Sequence, residues 1–150
     1  MRIEAATVAT AEVLEALSRL LPQLNPDLPV LTQERLDRVI NDPATTLLVV
    51  RDDEDETETI IGTASVLVYT TPAHVKARIE DVVVDESVRG KGVGKELVLH
   101  CIEIARESGA EIVELQSARW RQAANKLYPK VGFELRESNL YRISLEPQST

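Results

Sequence analysis

At 150 residues the chain has the length of one domain with room for a buried core. Aromatic residues make up only 3% of it, so that core has to rest on Val, Leu, Ile and Ala. A formal charge of −8 argues against nucleic acid, whose phosphates attract Lys/Arg surfaces, and is compatible with a cationic acceptor such as an amine or polyamine.

Residues 2–7 read as a short first strand. Thr10 is a helix N-cap for 11–21, where Val13, Leu14, Leu17, Leu20 and Leu21 recur at helical spacing. Pro22, Pro26 and Pro29 then predict a loop, and Thr32 starts a second helix carrying Leu36, Val39 and Ile40. Asn41-Asp42-Pro43 stops it. Runs 46–51 and 60–69 are β-rich, and the acidic stretch between them, 52–58, reads as a solvated turn. It lacks the glycine and ligand periodicity of a calcium loop. Residues 77–84 form a further strand, 93–107 an amphipathic helix ended by Ser108-Gly109, 111–116 a strand and 121–130 a helix. Segments 133–136 and 140–145 predict a closing strand pair. The order β-α-α-β-β-β-α-β-α-β-β indicates a single α/β (α+β) domain over 1–150: one mixed, mostly antiparallel sheet flanked by helices.

The informative segment runs from Ile79 to Lys95. A Val-Val-Val strand enters a turn carrying Gly90, Gly92 and Gly94 and passes directly into a helix. Glycine lets the backbone take up positive φ and approach a ligand, while a helix's first N–H groups have no internal partner. Those groups and the positive end of the macrodipole make an anion cradle, to which Arg89, Lys91 and Lys95 add charge. A P-loop is excluded, because Arg89 stands where its first glycine belongs and Glu96 where magnesium needs Ser or Thr. A dinucleotide fingerprint fails too, with Lys95 or Leu97 at its third glycine.

The pattern Arg-x-x-Gly-x-Gly, here Arg89, Gly92 and Gly94, resembles the pyrophosphate-binding motif of the GNAT acetyltransferase superfamily. Downstream, Ala124-Asn125-Lys126-Leu127-Tyr128 and Gly132-Phe133 look like that family's closing helix and its exit. The resemblance is specific over 79–133 and architectural before it. It implies acetyl-CoA as co-substrate and a small-molecule or protein amine as acceptor, with no metal. The backbone of Val82, Val83 and Val84 is expected to pair with the pantetheine arm, and Arg89, Gly90, Lys91, Gly92, Val93, Gly94 and Lys95 to hold the pyrophosphate. Asn125 matches a position that hydrogen-bonds the cofactor, and Tyr128 the tyrosine that protonates the departing thiolate. Pro129 directly after Tyr128 is a departure that predicts a kink or an end to the helix.

Glu80 is the candidate general base: strand alternation sets it on the face of Val82 and Val84, with Asp81 facing the other way. The stretch 79–84 also resembles the corresponding strand of glucosamine-6-phosphate N-acetyltransferases, whereas the helix from Arg121 looks like generic bacterial members. The implied reaction is direct transfer in a ternary complex; the rival reading is a CoA-binding regulatory or structural domain without catalysis. Cys101 sits at core spacing from Leu97 and Ala105 and cannot form an internal disulfide. Trp120 fits plain packing, a wall of the acceptor pocket or a homodimer contact. No apolar run approaches the ~20 residues of a membrane span and no leader opens the chain, so the expectation is cytoplasmic, with no membrane partner.

Overall fold

A computed structural model describes residues 1–146. The chain falls into two compact units, Met1–Ala118 and Arg119–Thr150.

The first unit is built on a five-stranded sheet in the order β1 (Arg2–Ala5), β2 (Thr45–Arg51), β3 (Ile60–Thr70), β4 (Val75–Val84), β5 (Ile112–Leu115). All neighbours are antiparallel except β4 and β5, which run parallel. Helices α1 (Ala11–Leu24) and α2 (Gln33–Asn41) connect β1 to β2, and α3 (Val93–Glu107) crosses from β4 to β5. Four consecutive residues of β2, Leu47 to Val50, are buried, which requires cover on both faces of the sheet. Leu47, Val49, Ile60 and Val83 share one cluster with Val13, Leu17 and Leu20 of α1 and Leu36 of α2. Alternation turns Leu48 and Val50 to the opposite side. There α3 packs on β3 and β4 with Leu97, Val98, Cys101 and Ala105 buried.

Local chemistry fixes the helix starts. Thr10 accepts the Val13 N–H at 3.2 Å and Thr32 the Arg35 N–H at 3.1 Å, as N-cap hydroxyls do. Contrary to expectation, Pro22 does not end α1, which continues to Leu24. Proline there removes only its own donor, and the final turn is closed by the Asn25 N–H to the Leu21 carbonyl, 3.2 Å. The acidic stretch 52–58 is a turn, tied by the Asp52 N–H to the Thr59 carbonyl and by Thr57 and Thr59 hydroxyls on Asp55. Among the described residues no helix is long and apolar enough to cross a membrane, and no group of three or more His, Cys, Asp or Glu is gathered for a metal ion.

The second unit contains α4 (Gln122–Lys130). The strand pair expected over 133–136 and 140–145 is not formed. Leu135, Leu140, Tyr141, Ile143 and Leu145 are exposed and the segment carries no ladder. Alternating apolar residues fit a strand, but a strand exists only where a partner takes its backbone bonds.

Candidate active site

The cradle is one continuous piece of the first unit. β4 pairs with β5 only from Lys76↔Ile112 to Ile79↔Leu115, yet β4 itself continues to Val84. β5 ends at Leu115, so beyond Ile79 the edge of β4 that carries Val82 and Val84 has no strand paired to it. Such an edge presents backbone donors and acceptors to an extended ligand.

On its other edge β4 carries a bulge. Ser65 pairs with Glu80 and Thr63 with Val83, so Ala64 stands opposite both Asp81 and Val82. Asp81 has φ 53, left-handed for a residue with a side chain. The extra residue breaks the alternation assumed from the sequence: Glu80 shares its face with Val83, not with Val82 and Val84. Asp81 does not turn away from the site either, since it lines a cavity on the face that also presents Thr63, Ser65 and Leu47. Glu80 forms an ion pair with Arg78, two residues back on the same face, and is not in that lining. Burial first, and the adjacent Glu80 charge second, raise the Asp81 carboxyl above the ordinary aspartate value; the side chain nevertheless remains open to solvent from the cavity.

From Val84 the chain enters a 3-10 turn, Glu86–Val88, capped by Asp85, which accepts the Ser87 N–H and hydroxyl at 3.0 Å each. Desolvation pushes the Asp85 carboxyl up, but the Ser87 hydrogen bonds and the Arg19 charge together outweigh it, leaving it below the usual range. Arg19 of α1 pairs with Asp85 and donates to the Ile60 carbonyl at 2.7 Å, and Gln23 Oε1 accepts the Glu86 N–H at 2.9 Å. Arg89 folds back, its Nε donating to the Val84 carbonyl at 3.1 Å. Arg19, Gln23 and Asp85 therefore hold the turn in place, and none of the three was singled out from the sequence. The bonds by which Arg19 and Gln23 reach this turn span more than 40 residues of chain, and no local pattern announces them.

Gly90 and Gly92 take φ 81 and φ 83, so glycine is required here by conformation. A Cβ built on either meets nothing within 4 Å: the space beside the turn is open. Gly92 is the N-cap of α3 without a capping side chain, and the first intrahelical bond is Glu96 N–H to the Gly92 carbonyl, 3.1 Å. The N–H groups of Val93, Gly94 and Lys95 precede that bond and point toward the helix start. Lys91 and Lys95 are exposed on either side. An open, uncapped, glycine-lined helix start flanked by lysines fits a pyrophosphate.

Asn125 and Tyr128 lie on α4 of the second unit. The Asn125 side-chain amide donates to the Arg121 carbonyl at 2.9 Å. The Tyr128 ring is buried edge-on against Phe133, centroids 5.9 Å apart and planes at 77°. α4 ends at Lys130, one residue after Pro129, and the Phe133 N–H returns to the Tyr128 carbonyl at 3.0 Å. Pro129 is therefore accommodated inside the last turn, and left-handed Gly132, φ 108, with that returning bond closes the helix. Cys101 is a core residue with no exposed surface, its thiol pushed up to about 12 by burial.

The fold is that of a known family. The family model described as "Acetyltransferase (GNAT) family" matches residues 10–133, and the chain belongs to that family. A glucosamine 6-phosphate N-acetyltransferase of Trypanosoma brucei brucei is 37% identical over 84 residues, 54% of this chain and 55% of that protein. The match therefore spans about half the length of that curated relative. Among solved structures, a protein of Agrobacterium tumefaciens is 28% identical with a TM-score of 0.80 over 96% of this chain and 100% of its own. A Trypanosoma brucei acetyltransferase is 28% identical with a TM-score of 0.75 over the same shares.

Proposed function

We propose that the chain is an N-acetyltransferase that moves an acetyl group from acetyl-CoA to a primary amine by direct transfer in a ternary complex. The observation that carries this reading is the cradle: a β4 edge freed beyond Ile79, leading through left-handed Gly90 and Gly92 into the uncapped start of α3. Membership of the acetyltransferase family supports it.

Bound acetyl-CoA supplies an acyl thioester, and the chain's own groups do the rest. The N–H groups opening α3, with Lys91 and Lys95, neutralise the pyrophosphate, and Arg89 braces the turn. Backbone groups of Val82, Val83 and Val84 orient the pantetheine arm, and an N–H among them stabilises the oxyanion. A carboxylate on β4 takes the ammonium proton: Glu80, ion-paired with Arg78, is the one expected from the sequence, and its neighbour Asp81 is the other. Tyr128 donates its phenolic proton to the sulfur as the C–S bond breaks, and Asn125 contributes a hydrogen bond to the cofactor.

Thermal unfolding tests the reading. A ligand bound only by the folded state adds RT ln(1 + [L]/Kd), about 2.7 kcal/mol at a hundredfold excess over Kd. Acetyl-CoA is expected to raise the melting midpoint, and ATP and NAD to leave it unchanged. A shift with ATP and none with acetyl-CoA would overturn the reading.

A further inference from the structure

The cavity that Asp81 lines has a volume of about 260 Å³ and lies entirely within the first unit. Leu17 of α1, Leu28 and Val30 of the following loop, Leu36 of α2 and Leu47 of β2 form its walls. Three hydroxyls line it, those of Thr32, Thr63 and Ser65. Thr63 donates to the Leu48 carbonyl at 2.8 Å, and Thr32 accepts the Arg35 N–H as a helix cap. Among the described residues of the lining, the ionisable ones are Asp81 and Arg35.

We propose that this cavity receives the acceptor, that the acceptor is a primary monoamine on an apolar body, and that Asp81 binds its ammonium and removes the proton. The assignment rests on the acetyl-transfer reading and narrows it to a substrate class.

Three observations converge. First, the walls are mostly apolar, with Thr32, Thr63, Ser65, Arg35 and Asp81 the only polar side chains among the described lining. Most hydroxyls of a sugar would therefore leave water for Leu and Val surface, and desolvated polar groups without partners are disfavoured. An alkyl or arylalkyl body finds matching surface there. Second, the lining balances one carboxylate against one guanidinium. That suits a single ammonium and disfavours a polyamine, despite the chain's net negative charge. Third, the β4 bulge and the left-handed φ of Asp81 turn this carboxylate into the cavity while Val82, the next residue, begins the cofactor-facing edge. Bulges of this kind re-aim side chains beside active sites, and strained backbone persists where a site needs it.

The proton balance is simple. The ammonium passes one proton to Asp81. Its nitrogen lone pair forms the C–N bond to the acetyl carbonyl carbon, and the C–S bond breaks with its electron pair on sulfur. The nitrogen loses its second proton, the sulfur gains one, and Asp81 returns its own to solvent. The net products are amide, CoA thiol and one proton. A carboxyl held above its ordinary value by burial and by Glu80 accepts a proton closer to neutral pH than a solvated aspartate.

The test compares wild type with Asp81→Asn using 2-phenylethylamine, glucosamine 6-phosphate and spermidine as acceptors, with acetyl-CoA binding read separately by thermal shift. The assignment predicts 2-phenylethylamine as the best acceptor and a fall of about 100-fold or more in kcat/KM in Asp81→Asn. The acid limb of the wild-type pH profile, set by Asp81 facing Glu80 and Arg35, should disappear in the variant. The acetyl-CoA shift should be retained. Because the folded carboxyl is raised, its charged form opposes folding above the unfolded value of 3.8, so Asp81→Asn should not lower the melting midpoint at pH 7. A structural role alone would lower it and leave the pH profile intact. Wild-type turnover in Asp81→Asn overturns the assignment, as does preference for glucosamine 6-phosphate or spermidine, or no use of 2-phenylethylamine by protein that binds acetyl-CoA. Loss of the acetyl-CoA shift in wild type overturns the transfer reading itself, and this assignment with it.

Discussion

Gly92 is the position at which the cradle can be tested by charge alone. With φ 83 and ψ 4 it is left-handed, and a Cβ there meets nothing within 4 Å. Any side chain therefore adds conformational strain of roughly 1–2 kcal/mol but no clash. For a chain of this size about 2–4 °C of melting midpoint accompanies each kcal/mol, so Gly92→Lys and Gly92→Glu should both melt about 2–8 °C lower and both stay folded. They differ in what they present to a pyrophosphate. A carboxylate about 4 Å from a phosphate charge meets a repulsion of about 4 kcal/mol at an effective dielectric of 20, which is roughly a 1,000-fold loss of affinity. The lysine brings no such term. Calorimetric titration of both variants with acetyl-CoA, beside their unfolding curves, reads the two effects separately. Equal affinities in folded Gly92→Glu and Gly92→Lys would refute the placement of the pyrophosphate at this turn.

Tyr128→Phe should reduce turnover by about 100-fold or more while acetyl-CoA affinity stays near wild type, since the phenol acts as the thiolate leaves and the ring keeps its contact with Phe133; steady-state kinetics beside calorimetry checks this. Asp85→Ala removes the cap of the turn and the Arg19 partner. It should destabilise the protein by about 1 kcal/mol at pH 7 and weaken acetyl-CoA binding. Because the folded Asp85 carboxyl lies below its unfolded value of 3.8, that stabilisation is present above 3.8 and fades as pH falls through the lower folded value. Urea unfolding of wild type and variant at pH 7 and pH 3 should therefore show a smaller difference at the lower pH. Leu36→Ala, at 1% exposed in both the core and the cavity wall, should lose about 2–5 kcal/mol. If folded, it should shift preference toward bulkier amines.

What the sequence disclosed was local, and what it hid was pairing. Thr10 and Thr32 cap the helices assigned to them because a cap is a bond three residues long. Helix α3 spans Val93–Glu107 as read, since Gly92 and Gly109 mark its ends with left-handed backbone. The β4 bulge left no such mark: it arises from the register against β3, and through it Asp81 lines the cavity while Glu80 pairs with Arg78. Likewise nothing marked Arg19, inside the first predicted helix, or Gln23, in the loop expected after Pro22, although their side chains hold the turn after β4. Residues 133–145 carry a strand's alternation but no ladder, because periodicity describes a face and not the neighbour that must meet it. The glycine turn 89–92 and its passage into α3 were legible for the opposite reason, being contiguous in the chain.

The measurement that bears most directly on the central claim is continuous detection of free CoA thiol from acetyl-CoA, with and without a primary amine. The account predicts release that depends on the amine, saturates with it and yields one N-acetylated product per thiol. Tight acetyl-CoA binding with no amine-dependent release across alkyl, arylalkyl, amino-sugar and peptide amines would contradict it and leave a CoA-binding domain without catalysis.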